Sequence, residues 1–198
     1  MTRLLTALPE ADRALWATAM YAGLRKGELQ ALRLDDLDLA RDPCPAIRVE
    51  RSWDAQEGIV APKSEAGVRT VPVVDELRRH LLAHKLRLGW NEGYLFGRFA
   101  ETPFSYTGTL SRARRTWKDA KLEPIGFHEC RHSFVSLWHD AGVSLDRIGD
   151  YAGHSGSGIT NRYRHLRDGQ QAEDAALVNA YLGGLAHPLA HAGAEQAR

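Results

Sequence analysis

The stretch from Gly126 to His165 constrains the fold most, because it contains the clearest amphipathic helix of the chain. Apolar side chains recur there at the spacing of one helix face: Cys130, Phe134, Leu137, Trp138 and Ala141. At about 100° per residue they form one stripe, so we expect them to pack into the core. The same geometry turns His128 and Arg131 to the opposite side, one turn apart. The sequence therefore predicts a helix over 128–141 with an exposed His-Arg pair.

The rest of the chain predicts a mainly helical α+β domain with one small antiparallel sheet. With 198 residues, 43% of them hydrophobic, the chain is long enough for one well-buried domain. Apolar spacing and turn residues predict further helices at 9–22, around Leu29, and at 75–88, 106–121, 144–152, 157–165 and 171–185. Alternating segments predict strands at 46–53 and 68–74.

Composition excludes several classes of protein. Two cysteines, Cys44 and Cys130, cannot build a disulfide framework. No apolar run approaches the roughly 18 residues of a membrane span, and the N-terminus lacks the layout of a signal peptide. We therefore expect a cytoplasmic protein without a membrane partner. The formal net charge of +1 neither requires nor forbids nucleic acid, so a DNA-binding surface has to come from local clusters of basic residues.

The stretch also contains groups suited to phosphate chemistry. Tyr163 lies in the segment TNRYRH, nine residues after His154, and His128 and Arg131 precede both. A tyrosine near a histidine and cations suggests attack on a phosphate, because the hydroxyl can become a nucleophile and the cations can carry the developing charge. This hypothesis requires a second arginine and a proton donor from elsewhere in the chain.

Five motifs follow one another in the chain: AGLRKGEL at 22–29, PKS with RTVPV at 62–64 and 69–73, HECRHSF at 128–134, AGH at 152–154 and TNRYRH at 160–165. Each motif alone is a weak signal. In this order and at these gaps they resemble the catalytic domain of the tyrosine recombinases, the phage integrase family, from about Leu4 to Leu185. Ala22 stands where the family pattern has Thr, and Cys130 where it has Leu.

The resemblance implies that Tyr163 attacks the scissile phosphate, forms a 3′-phosphotyrosyl link and releases a 5′-hydroxyl. Arg25 and Arg131 would hold the non-bridging oxygens, for which the planar guanidinium is suited. Because two arginines supply the charge that a divalent ion otherwise brings, we expect no metal. We also expect no nucleotide, because the phosphotyrosine stores the bond energy for religation.

The resemblance also implies roles for the remaining groups. Lys63 would protonate the leaving 5′-oxygen, and His128 would accept the proton of the tyrosine, whose ordinary pKa is about 10. His154 would donate a hydrogen bond to the phosphate. Glu28 would support the site from behind by orienting the Arg and His side chains.

Partners and domain organisation follow from the same resemblance. The expected partner is double-stranded DNA, bound by a homotetramer of the full-length protein, whereas the isolated domain is expected to be monomeric. We expect a catalytic domain at 1–185 and a flexible tail at 186–198, without the N-terminal core-binding domain that family members usually carry. The helix at 171–185 would pack either on its own domain or on a neighbouring subunit.

Basic side chains outside the catalytic set are candidates for contacts with the DNA backbone, the alternative being a solvated helix face. These candidates are Arg112, Arg114, Arg115, Lys118, Arg162 and Arg164.

Other functions remain as alternatives at this point. A catalytically idle DNA-binding module of the same fold is one, although the intact set of seven residues argues against it. The HExxH pattern at 128–132 is typical of zinc peptidases. However, Trp138 occupies the place of the third ligand of the extended motif, and no Glu lies between Glu129 and Glu173. A type IB topoisomerase would share the chemistry, but its motifs would be spaced differently.

Overall fold

The computed structural model describes residues 1–62, 67–153 and 169–186. Helices in this part of the chain are α1 (Thr2–Ala7), α2 (Glu10–Tyr21), α3 (Lys26–Ala31), α4 (Asp75–Arg87), α5 (Tyr106–Asp119), α6 (Phe127–Asp140), α7 (Leu145–Ala152) and α8 (Gln170–Ala186). The α+β fold class predicted from the sequence is confirmed. The predicted helix at 157–165 lies outside the described residues.

Helix α2 is the centre of the core. Its segment ALWATAM is apolar on nearly all sides, as expected for a helix that is covered by its neighbours. It packs against both α4 and α6. The ring of Trp16 stacks on Phe127 with centroids 4.3 Å apart and meets the edge of Trp117 at 4.8 Å. These contacts join α5 and α6 to α2.

Helix α6 buries the stripe predicted from its spacing. Cys130, Phe134 and Trp138 are fully buried, and the indole Nε1 of Trp138 donates a hydrogen bond to the Tyr21 carbonyl at 3.1 Å. The opposite face therefore points out of the core. His128 is exposed on that face, as expected.

Within the described residues, the strands form three small antiparallel sheets instead of the one predicted. They are β1 (Leu37–Asp38), β2 (Ala46–Val49), β3 (Ser52–Asp54), β4 (Gly58–Val60), β5 (Arg69–Pro72), β6 (Gly97–Phe99) and β7 (Thr102–Pro103). The sheets have the orders β1-β2-β5, β3-β4 and β6-β7.

The predicted strand at 46–53 is wrong as a single element. Its first half pairs with β5, and its second half turns away to pair with β4. Between the two halves, Arg51 forms an ion pair with the buried carboxylate of Asp36. Alternation of side chains reports strand character but not a change of partner, which explains the error.

Helix α8 packs on its own domain in this single chain. The carboxylate of Asp174 is buried, accepts a hydrogen bond from the Tyr151 hydroxyl at 2.6 Å and lies 2.9 Å from Nη2 of Arg147. Asn179 Oδ1 accepts from the backbone N–H of Asp75 at 2.9 Å. These contacts join α8 to α7 and to the start of α4 within one chain.

No helix of the described ranges combines the length and the apolar character that crossing a membrane requires.

Gly23→Ala should lower the free energy of unfolding by about 3 kcal/mol. Gly23 has φ +64°, so an alanine there would strain the backbone. The added Cβ would also lie 2.4 Å from the Phe134 ring, so overpacking would destabilise the protein further. Gly142→Ala is the matched control, because Gly142 has φ +96° but no neighbour within 4 Å of an added Cβ. Urea denaturation should show a loss of about 1 kcal/mol for the control. Equal losses for the two variants would contradict the predicted contribution of Phe134.

Candidate active site

The C-terminal turn of α7 binds three arginines from distant parts of the chain. Three consecutive carbonyls accept one guanidinium each, in the pairs Tyr151–Arg69, Ala152–Arg131 and Gly153–Arg25. The last carbonyls of a helix have no partner within the helix, and they form the negative end of its dipole. Gly153 ends the helix in the left-handed conformation with φ +67°, which a glycine adopts without strain.

Glu28 is the carboxylate that joins two of these arginines. Its oxygens accept two hydrogen bonds from Arg69, at 2.9 and 2.8 Å, and one from Nη1 of Arg25 at 3.0 Å. Glu28 also accepts from the backbone N–H of Arg25 at 2.7 Å, which caps helix α3. Burial raises the pKa of Glu28, but the hydrogen bonds and charges of Arg69 and Arg25 outweigh burial and leave this pKa below its ordinary value.

Arg131 is buried, so the prediction of an exposed His-Arg pair is wrong for this residue. Its side chain is long enough to cross from α6 to the carbonyls of Gly23 and Ala152, and both accept hydrogen bonds from its guanidinium. Burial, together with the charge of Arg25, lowers the pKa of Arg131 to about 10. The guanidinium therefore keeps its charge at neutral pH. A helical wheel places the Cα of Arg131 but not the end of so long a side chain.

The cluster has more positive than negative charge. Within the described residues, Arg25, Arg69 and Arg131 lie around the single carboxylate of Glu28. The Arg69 side chain is enclosed by protein, with 6% exposed, whereas 46% of the Arg25 side chain is exposed. A preorganised, partly dry cluster with two uncompensated cations is suited to bind an anion that reaches it past Arg25.

Arg69 was not among the residues predicted to form the site. Its charge at the start of an apolar strand was the available signal, because period-two alternation puts residue 69 on the same face as the buried residues Val71 and Val73. A buried arginine needs an acidic partner, but no local pattern assigns Glu28 to Arg69 across 41 positions.

Three predicted catalytic residues, Lys63, His154 and Tyr163, lie outside the described residues, as do Arg162 and Arg164. Two described glycines that contact the arginine cluster are close in sequence to predicted catalytic residues. Gly153, whose carbonyl binds Arg25, directly precedes His154. Gly67, which follows the segment containing Lys63, accepts a hydrogen bond from Arg69 at 3.2 Å through its carbonyl.

One of the exposed arginines of the basic helix α5 has a structural role. Arg112 makes a bidentate ion pair with Asp12 of α2, at 2.7 and 2.6 Å, and this hydrogen bonding raises the pKa of Arg112. Its guanidinium thus fixes α5 to α2. Arg114, Arg115 and Lys118 are exposed on the same helix and remain candidates for contacts with DNA.

The Glu of the HExxH pattern caps a helix. The carboxylate of Glu129 accepts the backbone N–H of Gly126 at 2.9 Å, and hydrogen bonds from backbone N–H groups lower the pKa of Glu129. In the described ranges, no group of three or more His, Cys, Asp or Glu side chains is placed to hold a metal ion. The position of Glu129 therefore does not support the role that a zinc peptidase requires of this residue.

Comparison with known proteins identifies the family of the chain. The model of the phage integrase family matches residues 1–170. The chain belongs to the phage integrase family. This result confirms the resemblance carried by the five motifs.

The relatives include integrases of prophages. The chain is 38% identical over 195 residues to the prophage integrase IntR of Escherichia coli, covering 85% of this chain and 46% of that protein. It is 29% identical over 184 residues to a putative prophage phiRv2 integrase of Mycobacterium tuberculosis, covering 87% and 47%. The chain thus spans about half the length of these curated relatives.

Solved structures confirm the fold. The integrase of the transposon Tn1549, solved in complex with circular intermediate DNA, superposes with a TM-score of 0.65 at 21% identity. The match covers 87% of this chain and 63% of that one. The XerA recombinase superposes with a TM-score of 0.63 at 25% identity, covering 87% and 59%. The fold is therefore that of tyrosine recombinase catalytic domains.

Glu28→Gln should destabilise the protein most at neutral pH. The folded state lowers the pKa of Glu28 below its ordinary 4.5, so its stabilising effect is complete above that pH and is lost as the pH falls through the lowered folded-state value. We expect a loss of about 3 kcal/mol at pH 7, because the variant leaves Arg69 buried without its counter-charge. Urea denaturation at several pH values from 7 down to 3 should show that this loss of stability becomes smaller as the pH falls. Glu123→Gln, at an exposed carboxylate, should change little. A loss that is independent of pH would contradict an ionised Glu28.

Proposed function

We propose that this chain is the catalytic domain of a site-specific DNA recombinase, which cuts and rejoins strands through a 3′-phosphotyrosyl intermediate. The arginine cluster on the C-terminal turn of α7 is the observation that carries this proposal. Arg25 and Arg131 approach the same turn from the N-terminus of α3 and from α6, and Glu28 and Arg69 hold that arrangement. Membership of the phage integrase family supports the same conclusion.

The cluster accounts for recognition of the scissile phosphate. The exposed part of the Arg25 guanidinium offers N–H donors to a non-bridging oxygen, and Arg131 adds its charge from the buried side. Because Glu28 and the helix carbonyls fix both groups before substrate arrives, little reorganisation is needed as charge develops on the phosphate. This arrangement would stabilise the pentacovalent transition state.

The reaction then needs a nucleophile and two proton transfers. The Tyr163 oxygen forms a bond to phosphorus as the bond to the 5′-oxygen breaks. His128 accepts the phenolic proton, and Lys63 gives a proton to the leaving 5′-oxygen. His154 donates a hydrogen bond to a phosphate oxygen. Attack by a 5′-hydroxyl on the phosphotyrosine reverses these steps and rejoins the strand without a nucleotide.

The proposed partner is double-stranded DNA, bound by a homotetramer of the full-length protein. The relative from Tn1549 was solved with DNA, and the exposed cations of α5 are available to contact phosphates here. With α8 folded onto its own domain through Asp174, we expect the isolated domain at 1–185 to be monomeric without DNA.

A nicked suicide DNA substrate tests the proposed reaction. After strand cleavage the short 5′-hydroxyl fragment diffuses away, so the covalent protein–DNA adduct accumulates and can be measured on a denaturing gel. We expect the adduct with the wild type in the presence of EDTA, and none with Tyr163→Phe. Absence of a wild-type adduct, despite DNA binding, would instead favour a catalytically idle DNA-binding module.

Arg115→Ala should weaken DNA binding without changing stability. Each lost phosphate contact lowers the slope of log affinity against log salt by about 1. Arg112→Ala, on the same helix, should lower the free energy of unfolding through loss of the Asp12 pair while leaving the salt slope unchanged. Fluorescence anisotropy at several salt concentrations and urea denaturation separate the two effects. A reduced salt slope in Arg112→Ala alone would reverse this assignment.

A further inference from the structure

The exposed face of α6 holds two histidines whose ring nitrogens converge. His128 and His132 are four residues apart, and their Nε2 atoms lie 3.0 Å from each other. Their ring centroids are 4.5 Å apart, and the ring planes are nearly perpendicular at 81°. Both side chains are exposed, so an ion can reach the two nitrogens from solvent. The reaction proposed above uses His128 but assigns nothing to His132.

The separation of the nitrogens matches two neighbouring ligands of one metal ion. Imidazole nitrogens bind divalent metals at about 2.0–2.1 Å, so nitrogens 3.0 Å apart subtend about 95° at the ion. This angle suits adjacent positions of a square-planar or octahedral ion. A tetrahedral zinc ion would need about 3.3 Å, which a small rotation of either ring provides.

We propose that His128 and His132 chelate a late first-row divalent metal ion and that this ion inhibits strand cleavage. The inhibition rests on the proposed function, whereas binding of the metal does not. The ion would occupy the Nε2 lone pair of His128, so this atom could not accept the proton of Tyr163. Without that acceptor, the phenol stays protonated and weakly nucleophilic.

The neighbouring groups define what kind of site this is. Glu129 lies between the two histidines in sequence, but its carboxylate is engaged with the N–H of Gly126 at the helix cap. Arg114 contributes a positive charge near Glu129, and this charge opposes the binding of a metal cation. Two imidazoles with water completing the coordination, next to a cation, give reversible binding that a chelator removes. Such a site differs from the tightly held metal of a zinc peptidase.

The type of ligand atom determines the order in which divalent metals bind to this site. Two neutral imidazoles favour Cu²⁺ over Ni²⁺, and both of these over Mn²⁺, whereas Mg²⁺ prefers oxygen ligands. The expected series for both binding and inhibition is therefore Cu²⁺, then Ni²⁺ and Zn²⁺, with no effect of Mg²⁺. If the added metal salts inhibited cleavage only by raising the ionic strength, the inhibition would not follow this order of metals.

Calorimetry tests the site independently of catalysis. The probe is Ni²⁺ titrated into tag-free Tyr163→Phe, which keeps both histidines but lacks the nucleophile. We expect one ion per chain, an affinity at least tenfold lower when His132→Asn is added, and unchanged affinity when His139→Asn is added. His139 is a suitable control because it is an exposed histidine near the far end of α6. Unchanged affinity in the His132→Asn variant would overturn the chelate.

The suicide-substrate assay tests the inhibition. Cu²⁺ or Ni²⁺ should reduce the rate of adduct formation by the wild type at least tenfold, and EDTA should restore it. For each variant, the rate of adduct formation with metal is divided by the rate of the same variant without metal. The metal should lower this ratio for His139→Asn but not for His132→Asn. A wild type that binds Ni²⁺ in the calorimeter yet cleaves at an undiminished rate would overturn the inhibition. A protein without cleavage in EDTA would refute the proposed function, while calorimetry would still decide whether the metal site exists.

Discussion

The candidate site depends on the groups that donate hydrogen bonds to the carbonyls of the last turn of α7. Carbonyls at the end of a helix need donors, and here three guanidiniums supply them, from α6, from β5 and from the residue that caps α3. One short turn thereby fixes the relative positions of three distant segments.

Burying so many charges is costly, and the pattern of partners explains why the arrangement is stable. Arg69 is enclosed, and the two oxygens of Glu28 and the carbonyl of Tyr151 accept its donors. Arg131 is buried against neutral carbonyls and a like charge, which is the reason for its lowered pKa. The domain thus keeps positive charge where water is scarce, and an anionic ligand would relieve that unfavourable state.

Helix α6 serves the core and the site through different faces. Its apolar stripe packs on α2, which fixes the rotation of the helix and therefore the direction of His128. The acidic residue at its third position caps the first turn, as Glu28 does in α3. The HExxH pattern therefore combines a helix cap with two outward histidines, and its resemblance to a peptidase motif follows from that local arrangement.

The sequence alone predicted the fold class, the positions of α2 to α8 and the buried stripe of α6, because these depend on periodicity within one element, whereas the short helix α1 was missed. It also indicated the family, because five motifs kept their order. The tertiary structure decided which groups meet: Arg69 with Glu28, Arg112 with Asp12, and β3 with β4 instead of an extension of β2. It also placed the guanidinium of Arg131 inside the protein, although its Cα lies on the side of the helix predicted to be exposed. The two ion pairs join residues far apart in sequence through long side chains that cross between elements, so no local pattern encodes them. The pairing of β3 with β4 is local, but alternation of side chains does not show where a strand changes its partner.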